Sequence, residues 1–133
     1  MSEATTLRVD TNAGTALRYA EASGDHNPIH LDRAAALAAG LPGPILHGLY
    51  TMAQAARCAC AAGDDAGGAW QLRSLSVQFR GVGLPGRELV VTASPAAADG
   101  EHVDLELAVH QDRRRLIRRG RARLVLAGRD AGD

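Results

Sequence analysis

The chain has 133 residues, 46% of them hydrophobic and 23% charged, with a formal net charge of zero; that length and balance suit one soluble globular domain. Zero net charge gives no electrostatic case for nucleic acid or anionic membrane as main partner, and an aromatic content of 3% leaves no stacking platform for single-stranded nucleic acid. No apolar run reaches the roughly 18 residues of a transmembrane helix, and every basic residue is arginine, so no lysine can form a Schiff base.

In chain order, the opening MSEATTLRVD lacks the basic start and apolar core of a secretory signal, which makes a cytoplasmic location the expectation. Thr5 to Asp10 alternates weakly and predicts a short strand; Thr11 or Asn12 is placed to cap the helix after it. That helix, GTALRYAEASG, ends at Gly24, a C-terminal glycine. Asn27-Pro28 signals a turn. HLDRAAALAAG predicts a second short helix with Asp32 near its start and Gly40 at its end. Pro42, Gly43 and Pro44 then stop any helix. From Gly48, the stretch GLYTMAQAARCACAAG is broken by charge only at Arg57, and a helix apolar nearly all round is expected to be covered on most sides. Its cysteines, Cys58 and Cys60, point in different directions and form neither a zinc site nor a C-x-x-C motif.

The second half changes period. In WQLRSLSVQFR, Leu75, Val77 and Phe79 share one face, Ser74, Ser76 and Gln78 the other, and Leu72 is out of step. GVGLPG interrupts as a bend or bulge. RELVVTASP is a strand, AADGE a turn, and HVDLELAVH a strand with Val103, Leu105, Leu107 and Val109 on one face. QDRR turns the chain into RLIRRGRARLVLAG, where Gly120, Ala122, Leu124 and Leu126 lie opposite Arg119, Arg121 and Arg123. Helices followed by a run of hairpin-linked strands imply an α+β fold. The expectation is a single domain over 1–133 with 127–133 a frayed tail, its sheet wrapped around the apolar helix. Uncovered sheet edges imply dimerisation.

Two short stretches carry chemistry. SGDHNPIH, Ser23 to His30, places Asp25 and His30 on either side of an x-Pro turn. A carboxylate and an imidazole sharing one water can take its proton and return one. The same residues equally suit a capped turn, with Asp25 and Asn27 bonding nearby amides. ILHGLY, Ile45 to Tyr50, opens the apolar helix. Free amides and the positive dipole end are found there, and Gly48 lets a carbonyl come close to the backbone. Amides aimed at a carbonyl that gains negative charge form an oxyanion hole. The plainer alternative is that Gly48 permits tight packing and His47 is a satisfied loop histidine.

Together, YAEASGDHNPIH, LPGPILHGLYTMA and SVQFRGVGLPGREL resemble the MaoC-like hydratases and dehydratases, from about Tyr19 to the final strand. The family pattern, an aromatic residue and then S-G-D-x-N-P-[aliphatic]-H, stands here as Tyr19 and Ser23-Gly24-Asp25-His26-Asn27-Pro28-Ile29-His30. The resemblance implies a hotdog fold, an antiparallel sheet around a central helix. It implies Asp25 and His30 as the catalytic pair, Gly48 as the amide that polarises a thioester carbonyl, and Asn27 with Pro28 as the supporting turn. His47, Leu49 and Tyr50 fall where the pocket is lined; His26 is at the variable position. The implied reaction is reversible hydration of trans-2-enoyl thioesters, or dehydration of (R)-3-hydroxyacyl thioesters, on CoA or an acyl carrier protein. Neither metal nor redox cofactor is needed, and CoA or phosphopantetheine belongs to the substrate.

The chain departs from the family pattern in starting late, without a VGD-type turn. It has Leu49-Tyr50 where Met-Leu is frequent, and Ala53, Ala55 and Ala56 where a Ser or Thr often stands. The first departure points to a reduced N-terminal edge or another dimer mode, the others to an altered acyl pocket. The run Arg113 to Arg123 reads as a solvated hairpin and strand face. Its functional alternative is docking of phosphates or an acidic carrier protein by Arg119, Arg121 and Arg123. A homodimer is expected, with a heterodimer of related hotdog subunits as the variant. The alternative functions are a partner subunit of a two-component dehydratase, or a polyketide-type tailoring enzyme for conjugate addition or isomerisation in the same pocket.

Overall fold

The computed structural model describes residues 3–67 and 69–127. The elements are β1 (Thr5–Val9), α1 (Thr15–Ser23), a 3-10 turn (Pro28–His30), α2 (Arg33–Ala38), α3 (Gly48–Asp65), β2 (Trp70–Phe79), β3 (Leu89–Ala98), β4 (His102–Gln111) and β5 (Arg114–Leu126). The strands form one antiparallel sheet in the order β1-β3-β4-β5-β2. α3 touches all five. This is the α+β hotdog arrangement. Of the expected frayed tail, 128–133 lies outside the described residues, and the Ala127 amide donates to the Ala69 carbonyl. Among the described residues no helix is long and apolar enough to cross a membrane.

The alternation of apolar residues builds the core. Leu89, Val91 and Ala93 of β3, Val103, Leu105, Leu107 and Val109 of β4, and Ala122 and Leu124 of β5 meet Ala55, Cys58, Ala59 and Ala62 of α3. Each large aliphatic side chain buried there contributes about 2 kcal/mol. Small residues on α3 allow the close approach: a Cβ on Gly63 would stand 3.1 Å from the Trp70 Cβ.

Three expectations are corrected. α3 is left with an open stripe: Leu49 is 60% exposed, and Ala53, Arg57 and Cys60 are exposed along the same line. A five-stranded sheet reaches one face of a helix, and alanine hides that asymmetry in a hydropathy pattern. Neither Thr11 nor Asn12 caps α1; Gly14 holds the N-cap position. Thr11 Oγ1 instead donates to the Arg87 carbonyl at 2.7 Å, and Asn12 Oδ1 accepts from the Gly14 amide at 2.8 Å. Phe79 does not join Leu75 and Val77 in the core but is 52% exposed. Register shifts between Leu72 and Ser74 and between Ser76 and Gln78 break the period, which also accounts for Leu72 being out of step.

Candidate active site

The chain between α1 and α2 is shaped by short-range bonds. Gly24 ends α1 at φ 82°, its amide donating to the Ala20 carbonyl at 2.8 Å; that left-handed conformation favours glycine. The Asp25 amide donates to Ser23 Oγ at 3.1 Å, and Asp25 Oδ1 accepts from the Asn27 amide at 3.1 Å. Asn27 Oδ1 accepts from the Ile29 amide at 3.2 Å and so caps the 3-10 turn, with Pro28 at its start. Proline suits that position because its φ is preset and no donor is needed there. The capped-turn reading therefore holds in detail, and the turn carries His30 inward to 9% exposure while Asp25 stays exposed.

His30 is oriented by a second segment. Its Nδ1 lies 2.8 Å from the Ile45 carbonyl oxygen. A carbonyl only accepts, so Nδ1 carries the hydrogen and the neutral ring presents its Nε2 lone pair. The Ile45 amide returns a bond to the Ile29 carbonyl at 3.1 Å. His47, 2% exposed, lies with Nε2 2.9 Å from the Asp25 carbonyl oxygen, so Nε2 is the protonated nitrogen. The two imidazoles stack with centroids 3.7 Å apart and planes inclined by 17°, and Tyr19 packs on His47 at 4.7 Å. One polar atom from each of Asp25, His30 and His47 falls within 4.8 Å of the others. Two histidines and a carboxylate are also a metal-ligating set. The stacked, nearly parallel rings do not converge their in-plane lone pairs on one point.

The third part is the start of α3. The Tyr50 and Thr51 amides donate to the His47 carbonyl at 3.1 and 3.3 Å. Among the described residues, the Gly48 and Leu49 amides have no acceptor, as expected for a helix N-terminus. The Phe79 ring lies over Gly48: a Cβ there would be 3.2 Å from Phe79 Cε1. Tyr50 packs edge-on against Tyr19 at 5.8 Å. Burial pushes its phenol pKa up, partly offset by the charges of Arg57 and Arg18. Asp25, Asn27, Pro28, His30, His47, Gly48 and Tyr50 thus converge, with Leu49 pointing outward at 60% exposure.

Residues 2–109 match the family described as MaoC like domain. The chain belongs to the MaoC-like family. Over 95 residues it is 39% identical to the fatty acid synthase subunit beta of Aspergillus oryzae, a match covering 71% of this chain and 5% of that protein. The structure of the full-length peroxisomal multifunctional enzyme type 2 from Drosophila melanogaster superposes with a TM-score of 0.74 at 30% identity, over 90% of this chain and 21% of that one. The (R)-hydratase from A. caviae involved in PHA biosynthesis superposes with a TM-score of 0.79 at 22% identity, covering 94% and 95% of the two chains; at that identity it shows the fold alone. The MaoC-like chain therefore spans a small part of the two longer relatives.

The three arginines of the docking alternative stand elsewhere. Arg119, Arg121 and Arg123 occupy the β5 face turned away from α3, opposite buried Gly120, Ala122 and Leu124. Arg121 pairs with Glu106 at 3.0 Å, and Arg123 grips Asp104 through two bonds at 2.8 and 3.1 Å. The Arg123 guanidinium holds the Asp104 carboxyl below its ordinary pKa. Two of the three cations are thus matched across the strand pair, while Arg119 sits in a bulge at φ 50°.

Sequence reasoning missed Phe79 as a neighbour of Gly48 and missed the bond from His47 to Asp25. The first was hidden by the bulges of β2. The second joins residues 22 apart, with no local signal.

Proposed function

We propose that the chain is a hydro-lyase acting on thioesters: it adds water across trans-2-enoyl thioesters and removes it from (R)-3-hydroxyacyl thioesters, carried on CoA or an acyl carrier protein. The observation carrying this reading is the His30 Nε2, without a hydrogen-bond partner among the described residues and fixed by the Nδ1–H bond to Ile45 beside the Asp25 carboxylate. It stands with the unpaired amides of Gly48 and Leu49 at the helix start that His47 joins to it.

The chemistry follows from charge. A thioester carbonyl that accepts a bond from the Gly48 amide draws electrons from the conjugated double bond and leaves C3 electrophilic. Asp25 and His30 hold a water at C3. As its oxygen bonds to C3 the C2=C3 π bond opens, one of the pair takes the water proton, and a proton is delivered to C2. Dehydration runs the same path backwards. The pair acts as one coupled unit.

The test is the fall in conjugated enoyl-thioester absorbance on adding enzyme. Asp25→Asn and His30→Ala are each expected to lower kcat by about a hundredfold or more; unchanged turnover in both would defeat the assignment. We further propose that the chain works as a homodimer, which would cover the open stripe of α3 and the free edge of β2. The same open stripe motivates a second reading, a partner subunit of a two-component dehydratase. Light scattering with activity assays separates them: a homodimer active alone excludes the second.

A further inference from the structure

We propose that His47 is a positioning residue that ties the acid/base turn to the carbonyl-binding end of α3 by holding the main chain of Asp25. Its kinetic consequences rest on the hydratase reading; its structural ones do not.

Residues 21 to 28 are exposed. The bonds inside the turn, Asp25 to Ser23, Asn27 to Asp25 and Ile29 to Asn27, each span two residues. They set the turn's shape but not its place relative to α3. Placement depends on long-range bonds. Two of them, from the Ile45 amide to the Ile29 carbonyl and from His30 Nδ1 to the Ile45 carbonyl, secure the His30 end. Among the described residues, the bond that secures the Asp25 end comes from His47, whose Nε2–H donates to the Asp25 carbonyl at 2.9 Å.

The same residue serves the other half of the site. Its main chain is the N-cap of α3, and its carbonyl accepts the Tyr50 and Thr51 amides. The side chain therefore locates the carboxylate while the main chain locates the Gly48 amide. The ring also stacks on His30 at 3.7 Å, but the Ile45 carbonyl already orients that imidazole. Among the described residues the remaining nitrogen, Nδ1, is buried without a hydrogen-bond partner. The one hydrogen bond of the ring among the described residues therefore goes to Asp25.

Phenylalanine keeps the ring and loses the donor; glutamine keeps a donor at the reach of Nε2 and loses the ring. His47→Phe is expected to lower kcat about tenfold or more with KM within about twofold, and His47→Gln to stay within about threefold of wild type. Because His47 acts through Asp25, adding His47→Phe to Asp25→Asn is expected to cost less than about twofold more. Independently of activity, hydrogen exchange at the Asn27 and Ile29 amides is expected to quicken about tenfold in His47→Phe but not in His47→Gln. If His47→Phe does not fold, His47→Met, flexible and without a donor, replaces it. Wild-type exchange in the donorless variant, equal loss of protection in the glutamine variant, or losses that multiply in the double variant would each overturn the proposal. A wild-type chain inactive on every thioester would overturn the proposed function instead, and the exchange result would still decide the role of His47.

Discussion

Gly48→Pro removes one hydrogen-bond donor from the proposed carbonyl site and little else. Proline is favoured at the first position of a helix, where the amide has no intrahelical acceptor. His47 precedes it at φ −64° and ψ 137°, within the extended region that a residue before proline must occupy. The new ring carbons meet Phe79, whose ring would be 3.2 Å from a Cβ but is 52% exposed and free to swing aside. Stability is therefore expected to change by about 1 kcal/mol or less, a melting shift of roughly 4 °C for a chain of this length. Losing one oxyanion donor lowers kcat by about a hundred- to a thousandfold, or about 3 to 4 kcal/mol of transition-state stabilisation. Gly48→Ala is the matched control, since it adds the same Cβ and keeps the amide; it carries whatever the Cβ itself costs, and its kcat should stay at least about tenfold above that of the proline variant. Initial rates of enoyl-thioester hydration and thermal melts on the three proteins make the measurement. Equal kcat for the proline and alanine variants, with equal melting, would refute the role given to Gly48.

Gln111, fully buried, accepts from the Leu84 amide at 2.7 Å and donates to the Leu84 and Arg87 carbonyls at 2.8 and 3.3 Å. Gln111→Leu strands the Leu84 amide and carbonyl, while the Arg87 carbonyl keeps its bond from Thr11, and should cost about 3 kcal/mol, lowering Tm by roughly 10 °C; a shift below about 3 °C would contradict the clamp. Gly120→Ala drives a Cβ to 2.5 Å from the Leu107 carbonyl oxygen, so a loss of about 2 kcal/mol is expected in chemical denaturation, and full stability would show that the bulge adapts freely. Burial pushes the Cys58 thiol up to about 11, which leaves about a thousandth of it as thiolate at pH 8. Cys60 is exposed. One equivalent of a disulfide reagent should react quickly with the native protein and two with the unfolded one, and two fast equivalents in the native state would disprove the difference.

Features governed by neighbours along the chain were legible. Gly24 ends α1 and Asp32 caps α2 through a bond to the Ala34 amide, as expected of residues whose effect reaches only two to four positions. The strand faces of β4 read directly from a period of two, and Val103, Leu105, Leu107 and Val109 are all buried. Long-range placement was not legible. Gln111 appeared as the edge of a charged turn, and it does accept a bond from Arg114 three residues on, yet its main-chain partners lie 24 and 27 residues away. Arg121 and Arg123 read as a free basic face, but they meet Glu106 and Asp104 across strands.

The sequence by itself determined the turn that carries Asp25 and His30, the apolar helix headed by Gly48, the run of strands and the resemblance to the MaoC-like family. These depend on backbone preference, side-chain period and a motif of adjacent residues, all properties of a linear chain. Tertiary structure alone decided which face of α3 stays open, that Phe79 covers Gly48, and that Ile45 and His47 hold the turn of Asp25 and His30. Those outcomes depend on which segments close on each other in space. A hydrogen bond between residues 22 apart leaves no trace in the local order of either.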